Sequence, residues 1–88
     1  MLTIIESLTV SEAIDAEREH FPRLDDALDA LKWWLAHEPE SGEIIDDLNW
    51  LYKQAGDLDR NIPSLVTIYT FTKVHVELKF ILVRLPCA

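Results

Sequence analysis

Pro22-Arg-Leu-Asp-Asp-Ala-Leu-Asp-Ala-Leu-Lys-Trp-Trp-Leu-Ala36 is the stretch that decides how this chain folds. Leu24, Leu28, Leu31 and Leu35 recur at spacings of four, three and four residues, which puts them on one stripe of a 3.6-residue helix. Ala27 and Ala30 favour helix and allow close approach. Pro22 suits the opening of a helix and pushes Phe21 out of helical geometry. The helix ends before Pro39, and Glu40-Ser-Gly42 reads as a loop.

Upstream, Leu2-Thr-Ile-Ile5 reads as a short strand. Thr9-Val-Ser-Glu12 has the form of a capping box and predicts a first helix running to near His20. Val10, Ala13, Ile14 and Phe21 share one face of it, with Glu17 among them. Downstream, Glu43 to Asp47 fits either a strand or a connection. Asn49 to Ala55 reads as a strand, and Gly56 to Pro63 as a polar loop. Leu65-Val-Thr-Ile-Tyr-Thr-Phe71 is rich in β-branched and aromatic residues and predicts a further strand. In Val74 to Val83, alternation puts Val74, Val76, Leu78, Phe80 and Leu82 on one side and His75, Glu77 and Lys79 on the other. That alternation fades at Ile81 and Val83, which predicts that both faces are covered there. Thr72 and Lys73 join the last two strands as a hairpin. The expected fold class is α+β: an N-terminal strand, a two-helix hairpin and a three-stranded antiparallel meander, in a single domain over residues 1–88.

Composition narrows the function classes. A hydrophobic fraction of 49% and a charged fraction of 27% suit a globular domain. Sixteen Asp and Glu face eight Lys and Arg, a net charge of −8. Such a surface repels phosphate unless a local cationic cluster overrides it. The acidic balance points to basic proteins as partners, or to none. No run reaches the ~18–20 apolar residues of a membrane span, and the N-terminus lacks the basic region of a signal peptide. The lone Cys87 makes no internal disulfide, which suits a reducing compartment. The expected location is the cytoplasm.

The order of elements and particular stretches together resemble the RelE/ParE superfamily of toxins from bacterial toxin–antitoxin systems. Residues 22–36 resemble its second helix, and Pro39-Glu-Ser-Gly42 the turn that follows. Leu51-Tyr-Lys-Gln-Ala55 and Ile68-Tyr-Thr-Phe71 resemble its first two meander strands. The similarity spans roughly residues 20–83 and rests on pattern rather than on a diagnostic motif. It implies a toxin-like protein neutralised by an antitoxin, with the ribosome or gyrase as target. In the ribonuclease branch it also implies metal-independent cleavage of mRNA by basic residues and a tyrosine.

The residues that fit those roles are Lys53, Lys79 and Arg84, with Arg60 as a further cation and Tyr52 or Tyr69 as the phenol. Stabilising phosphate charge requires several such cations to converge on one spot. His75 is a general acid–base candidate or an exposed hairpin residue. Arg60 lies among Asp57 and Asp59 and can pair with either. The chain closes on Leu85-Pro-Cys-Ala88, without the aromatic or basic tail expected of ribonuclease members. The shortage of clustered charge favours a protein that acts by binding. The competing expectations are a ribosome-dependent endoribonuclease, and an unrelated acidic interaction module or homodimer.

Trp33 lies opposite Leu24 and Leu35 on the helical wheel. It is either covered by the first helix or an exposed anchor for a partner. Trp34, on the flank of the stripe, can join the core. His20 and His37 sit at helix C-termini, where the dipole favours them. The histidines are scattered and the carboxylate pairs lack calcium-loop spacing, so neither a metal nor a cofactor is expected.

Overall fold

In the computed structural model, which describes residues 1–85, the leucine stripe becomes the centre of one hydrophobic core. The chain runs through β1 (Thr3–Glu6), α1 (Leu8–Glu17), α2 (Leu24–His37), β2 (Glu43–Ile44), β3 (Trp50–Gln54), β4 (Ser64–Phe71) and β5 (His75–Arg84). Single 3-10 turns occupy Pro39–Ser41 and Leu58–Arg60. Cys87 lies outside the described residues, as does the tail beyond Leu85.

The architecture is α+β, with both helices on one face of a five-stranded mixed sheet ordered β1-β5-β4-β3-β2. The last three strands are successive antiparallel neighbours. The sheet is larger and more mixed than the sequence suggests. Glu43 and Ile44, ambiguous in the sequence, form a two-residue edge strand against Leu51 and Trp50. The N-terminal strand lies parallel to β5, with Ile4 opposite Val76. A parallel partner requires a long connection; from β1 the chain passes through both helices, re-enters the sheet at the opposite edge as β2, and reaches β5 after β3 and β4.

Leu24, Leu28, Leu31 and Leu35 are all buried and meet Leu65, Tyr69, Val76, Leu78 and Ile81 from the sheet. Val10 and Ile14 of α1 join them, with Ala13 and Phe21 packed alongside. Burying each such side chain contributes about 1.5–3 kcal/mol. Lys32 of α2 pairs with Glu6 of β1 at 3.2 Å, linking helix to sheet edge.

The first helix is capped two residues earlier than the Thr9-x-x-Glu12 pattern implies. Its N-cap is Ser7, whose hydroxyl accepts the Val10 N–H at 3.2 Å. Ser7 is already held by β1, since its own N–H donates to the Leu78 carbonyl at 3.1 Å. The tertiary ladder therefore chooses among adjacent hydroxyl residues that local preference alone leaves equivalent.

The last strand also departs from simple alternation. Ile68 pairs with Phe80 but Tyr69 pairs with Leu78, so Lys79 is an extra residue in β5. This bulge shifts the phase of the side chains. Val76 and Leu78 face the core before it, and Ile81 faces the core after it. Phe80, expected inside, is instead 45% exposed on the far face. The lapse of alternation at Ile81 thus marks a bulge, not a strand covered on both sides. Thr67, fully buried, holds the irregularity in place by donating its hydroxyl to the Phe80 carbonyl at 2.7 Å.

Candidate functional site

Alternation along the strands sends half of the sheet's side chains away from the helices. On that open face Leu51 lies opposite Ile68, which lies opposite Phe80. The next row is Lys53, Val66 and Leu82, and the row beyond it ends at Ser64 and Arg84. In the other direction Thr70 lies opposite Glu77, which neighbours Ile5 of β1. The centre is aliphatic and aromatic, and no described element covers it.

Among the described residues four of the eight Lys and Arg are ion-paired. Arg18 pairs with Asp15 and Asp25, Arg23 with Asp26, and Arg60 with Asp57 at 3.5 Å. Lys32 is taken by Glu6. Lys53, Lys73, Lys79 and Arg84 make no ion pair among the described residues; Lys53, Lys79 and Arg84 stand on the open face or its rim, and Lys73 on the hairpin between β4 and β5. Asp25, Asp26 and Asp29 are exposed on α2 and Glu12 and Asp15 on α1, while Glu43 and Glu77 lie on the open face.

The site residues expected from the sequence divide as follows. Lys53 and Arg84 flank a shallow cavity of about 430 Å³ that also touches Ser64 and Val66. Their Cα atoms are about 12 Å apart by ladder spacing, within reach of two long side chains. Lys79 lies elsewhere, about 15–17 Å along β5 from Arg84. Its ammonium donates to the Asn49 side-chain oxygen at 3.1 Å. Asn49 in turn donates to both oxygens of Asp46, at 3.1 and 3.0 Å. That Asn49 contact, followed by the Leu48 N–H, holds the Asp46 carboxyl below its ordinary range. Tyr52 projects to the helix side, packed against the core, and burial pushes its phenol up, so it stays protonated at neutral pH. Tyr52 does not line the cavity that Lys53 and Arg84 share.

Tyr69 is structural. Its ring is buried, and its hydroxyl donates to the Pro39 carbonyl at 2.6 Å and accepts the Gly42 N–H at 3.2 Å. Burial raises its pKa, partly offset by the Gly42 bond. His75 is half-buried at the hairpin, where its Nδ1 lies 3.3 Å from the Thr72 hydroxyl. Among the described residues no cluster of His, Cys, Asp or Glu has the arrangement to hold a metal ion. No described helix is long and apolar enough to cross a membrane.

Trp33 is 56% exposed and Trp34 41% exposed, so neither belongs to the core. Trp33 stacks on His37 with ring centroids 4.1 Å apart, and the His37 Nδ1–H donates to the Trp33 carbonyl at 2.7 Å. Near this aromatic step a groove of about 580 Å³ opens between Leu2, Ala36, Pro39 and Phe71, with Lys73 on its rim.

The residues that sequence reasoning missed are the apolar members of the open face, Phe80 above all. The signal was the run Lys79-Phe80-Ile81, where charged-apolar alternation breaks. Set against known proteins, the chain matches no family model, no curated protein and no solved structure.

Proposed function

We propose that this chain is a toxin-like, partner-binding protein of the RelE/ParE kind, acting by protein contact in the cytoplasm and neutralised by an antitoxin. The observation that carries the proposal is the uncovered sheet face, where Leu51, Val66, Ile68, Phe80 and Leu82 form one apolar surface. Contiguous apolar surface of this kind marks interaction sites in soluble domains. The order strand, helix, helix, strands supports the kinship, as does the placing of both helices on one face. Exposed Trp33 supplies a second contact for the same partner or for a target.

The test is inducible expression in bacteria. Growth arrest that Phe80→Asp relieves, and that a small neighbouring gene rescues, supports the proposal. Unimpaired growth at high expression rules it out.

A second reading, a ribosome-dependent endoribonuclease, is favoured only by the cavity that Lys53 and Arg84 share. Catalysis by those residues predicts mRNA cleavage that Arg84→Ala abolishes. Lys79 and Tyr52 stand apart from that cavity and contribute nothing to such a centre.

A further inference from the structure

We propose that the open sheet face is the contact surface of an isologous dimer, in which a second copy of this chain packs face to face across a two-fold axis. The inference rests on the reading of that face as a contact surface, and says what covers it when no other protein does.

Charge on this face is mixed, and its arrangement is self-complementary. Glu77 of β5 lies to one side of the apolar centre, and Arg84 of the same strand closes the other side. Glu43 of β2 ends the row Leu51–Ile68–Phe80, and Lys53 of β3 ends the adjacent row with Val66 and Leu82. Among the described residues none of these four charged side chains makes an ion pair within its own chain. Lys79 stands outside the set, since Asn49 holds its ammonium at 3.1 Å, with Asp46 behind Asn49.

A two-fold axis in the plane of the face, running across the strands between those two rows, turns each strand end for end over its copy. Glu77 then faces Arg84 of the second copy. Glu43 comes within one strand spacing, about 4.8 Å, of the column that holds Lys53 of the second copy. The row Leu51–Ile68–Phe80 meets Val66 and Leu82. An isologous contact repeats every pairing, so all four charged groups of each copy gain an opposite partner. A helix of uniform charge laid on the same face would leave either both acids or both bases without one.

Sheet on sheet is one of the standard ways to cover a sheet face. Aligned sheets pack about 10 Å apart, a gap that facing Glu and Arg side chains span. The face measures about 19 Å across the strands and about 20 Å from Glu77 to Arg84, on the order of 400 Å² in projection. Side-chain relief raises that toward the ~600 Å² per copy of the smaller specific interfaces, which sets the expected dissociation constant in the micromolar range. The net charge of −8 opposes association. Asp25, Asp26 and Asp29 of α2, however, are on the far side of the sheet, and salt mutes charges over about 8–10 Å. The turn Leu58–Arg60, with Asp57 and Asp59, also leans to the helix side, where Arg23 donates to the Arg60 carbonyl at 3.3 Å.

The test is sedimentation equilibrium of the full chain over a micromolar concentration series, with amide NMR on dilution. A reversible monomer–dimer equilibrium is expected, with shifts at Ile68, Phe80 and Leu82 rather than on α2. Glu77→Arg and Arg84→Glu each turn two attractive contacts into two repulsive ones, and are each expected to weaken the dimer about tenfold. Mixed in equal amounts, the two variants are expected to regain the parental affinity as a heterodimer, because each supplies the charge the other lacks. A misfolded chain cannot produce that recovery. Trp33→Ala, on the opposite side of the molecule, leaves the equilibrium unchanged.

A chain that stays monomeric throughout the series overturns the proposal. So does a mixture that associates no better than the separate variants, or a dimer that Trp33→Ala dissociates. An oligonucleotide or a charged helical peptide that shifts Ile68 and Phe80 of a monomeric chain assigns the face to that occupant instead. Growth arrest by a chain that is monomeric defeats this inference alone, whereas dimerisation without arrest defeats the toxin proposal alone.

Discussion

Replacing Tyr69 with phenylalanine removes one oxygen and strands two backbone groups. The ring is fully buried and remains so in the variant. What disappears is the bridge from the hydroxyl to the Pro39 carbonyl at 2.6 Å and from the Gly42 N–H at 3.2 Å. That bridge spans the 3-10 turn Pro39–Ser41 and sets the path from α2 into β2. A stranded buried donor or acceptor costs about 1–3 kcal/mol. Pro39 and Gly42 are half-buried, so water recovers part of the loss. A total of about 2 kcal/mol follows, and for a domain of this size it lowers Tm by roughly 8–16 °C. Thermal unfolding followed by circular dichroism measures it.

The same phenol links stability to alkaline pH. Burial raises the pKa of Tyr69 above its ordinary value of 10.0. A folded-state value above the unfolded one means that the contribution is full below the unfolded pKa and lost as pH rises through the folded one. Tyr69→Phe is expected to flatten part of that alkaline decline, leaving the part due to Tyr52, which shifts in the same direction. A variant whose Tm stays within roughly 2 °C of the parent would refute the role given to the bridge.

The other expectations are local. Gly42→Ala places a methyl 2.5 Å from the Leu51 carbonyl oxygen and 2.6 Å from the Tyr69 hydroxyl. Backbone there cannot yield, so denaturant unfolding is expected to show a loss of about 1–3 kcal/mol. Ser7→Ala removes the cap of α1 and costs about 0.5–2 kcal/mol, whereas Thr9→Ala costs less than about 0.5; equal effects in chemical denaturation would contradict the Ser7 cap. Thr67→Val leaves the Phe80 carbonyl without its 2.7 Å donor. Faster amide exchange around Lys79 and Phe80 is the expected sign that the bulge has loosened. Asp46, followed by carboxyl NMR, is expected to titrate below its ordinary 3.8. Its stabilising share is present above the unfolded value and is lost as pH falls through the depressed one. Asn49→Ala should bring the midpoint back up.

Much of the fold could be read directly from the chain. The stripe Leu24, Leu28, Leu31, Leu35 predicts α2 because its period is a property of the helix itself. The strands at Asn49–Ala55, Leu65–Phe71 and Val74–Val83 are legible because β-branched, aromatic and alternating residues carry their own signature. The candidate site was legible only in part. Lys53, Lys79 and Arg84 stand out as cations, but nothing in their spacing shows that Lys53 and Arg84 share a cavity while Lys79 reaches Asn49. Strand pairing brings them together or apart, and pairing is non-local.

Sequence by itself determined the α+β class, the helix that carries the core, and the acidic excess, since each depends on local period or simple composition. Tertiary structure alone decided which hydroxyl caps α1, because Ser7 is held by its ladder bond to Leu78. It decided that Phe80 leaves the core, because the bulge at Lys79 reverses the phase of β5. It decided as well that Lys53, Lys79 and Arg84, which make no ion pair among the described residues, stand around one apolar face. A residue's charge is written in the chain, but whether an opposite charge lies within reach is fixed only when distant strands and helices meet.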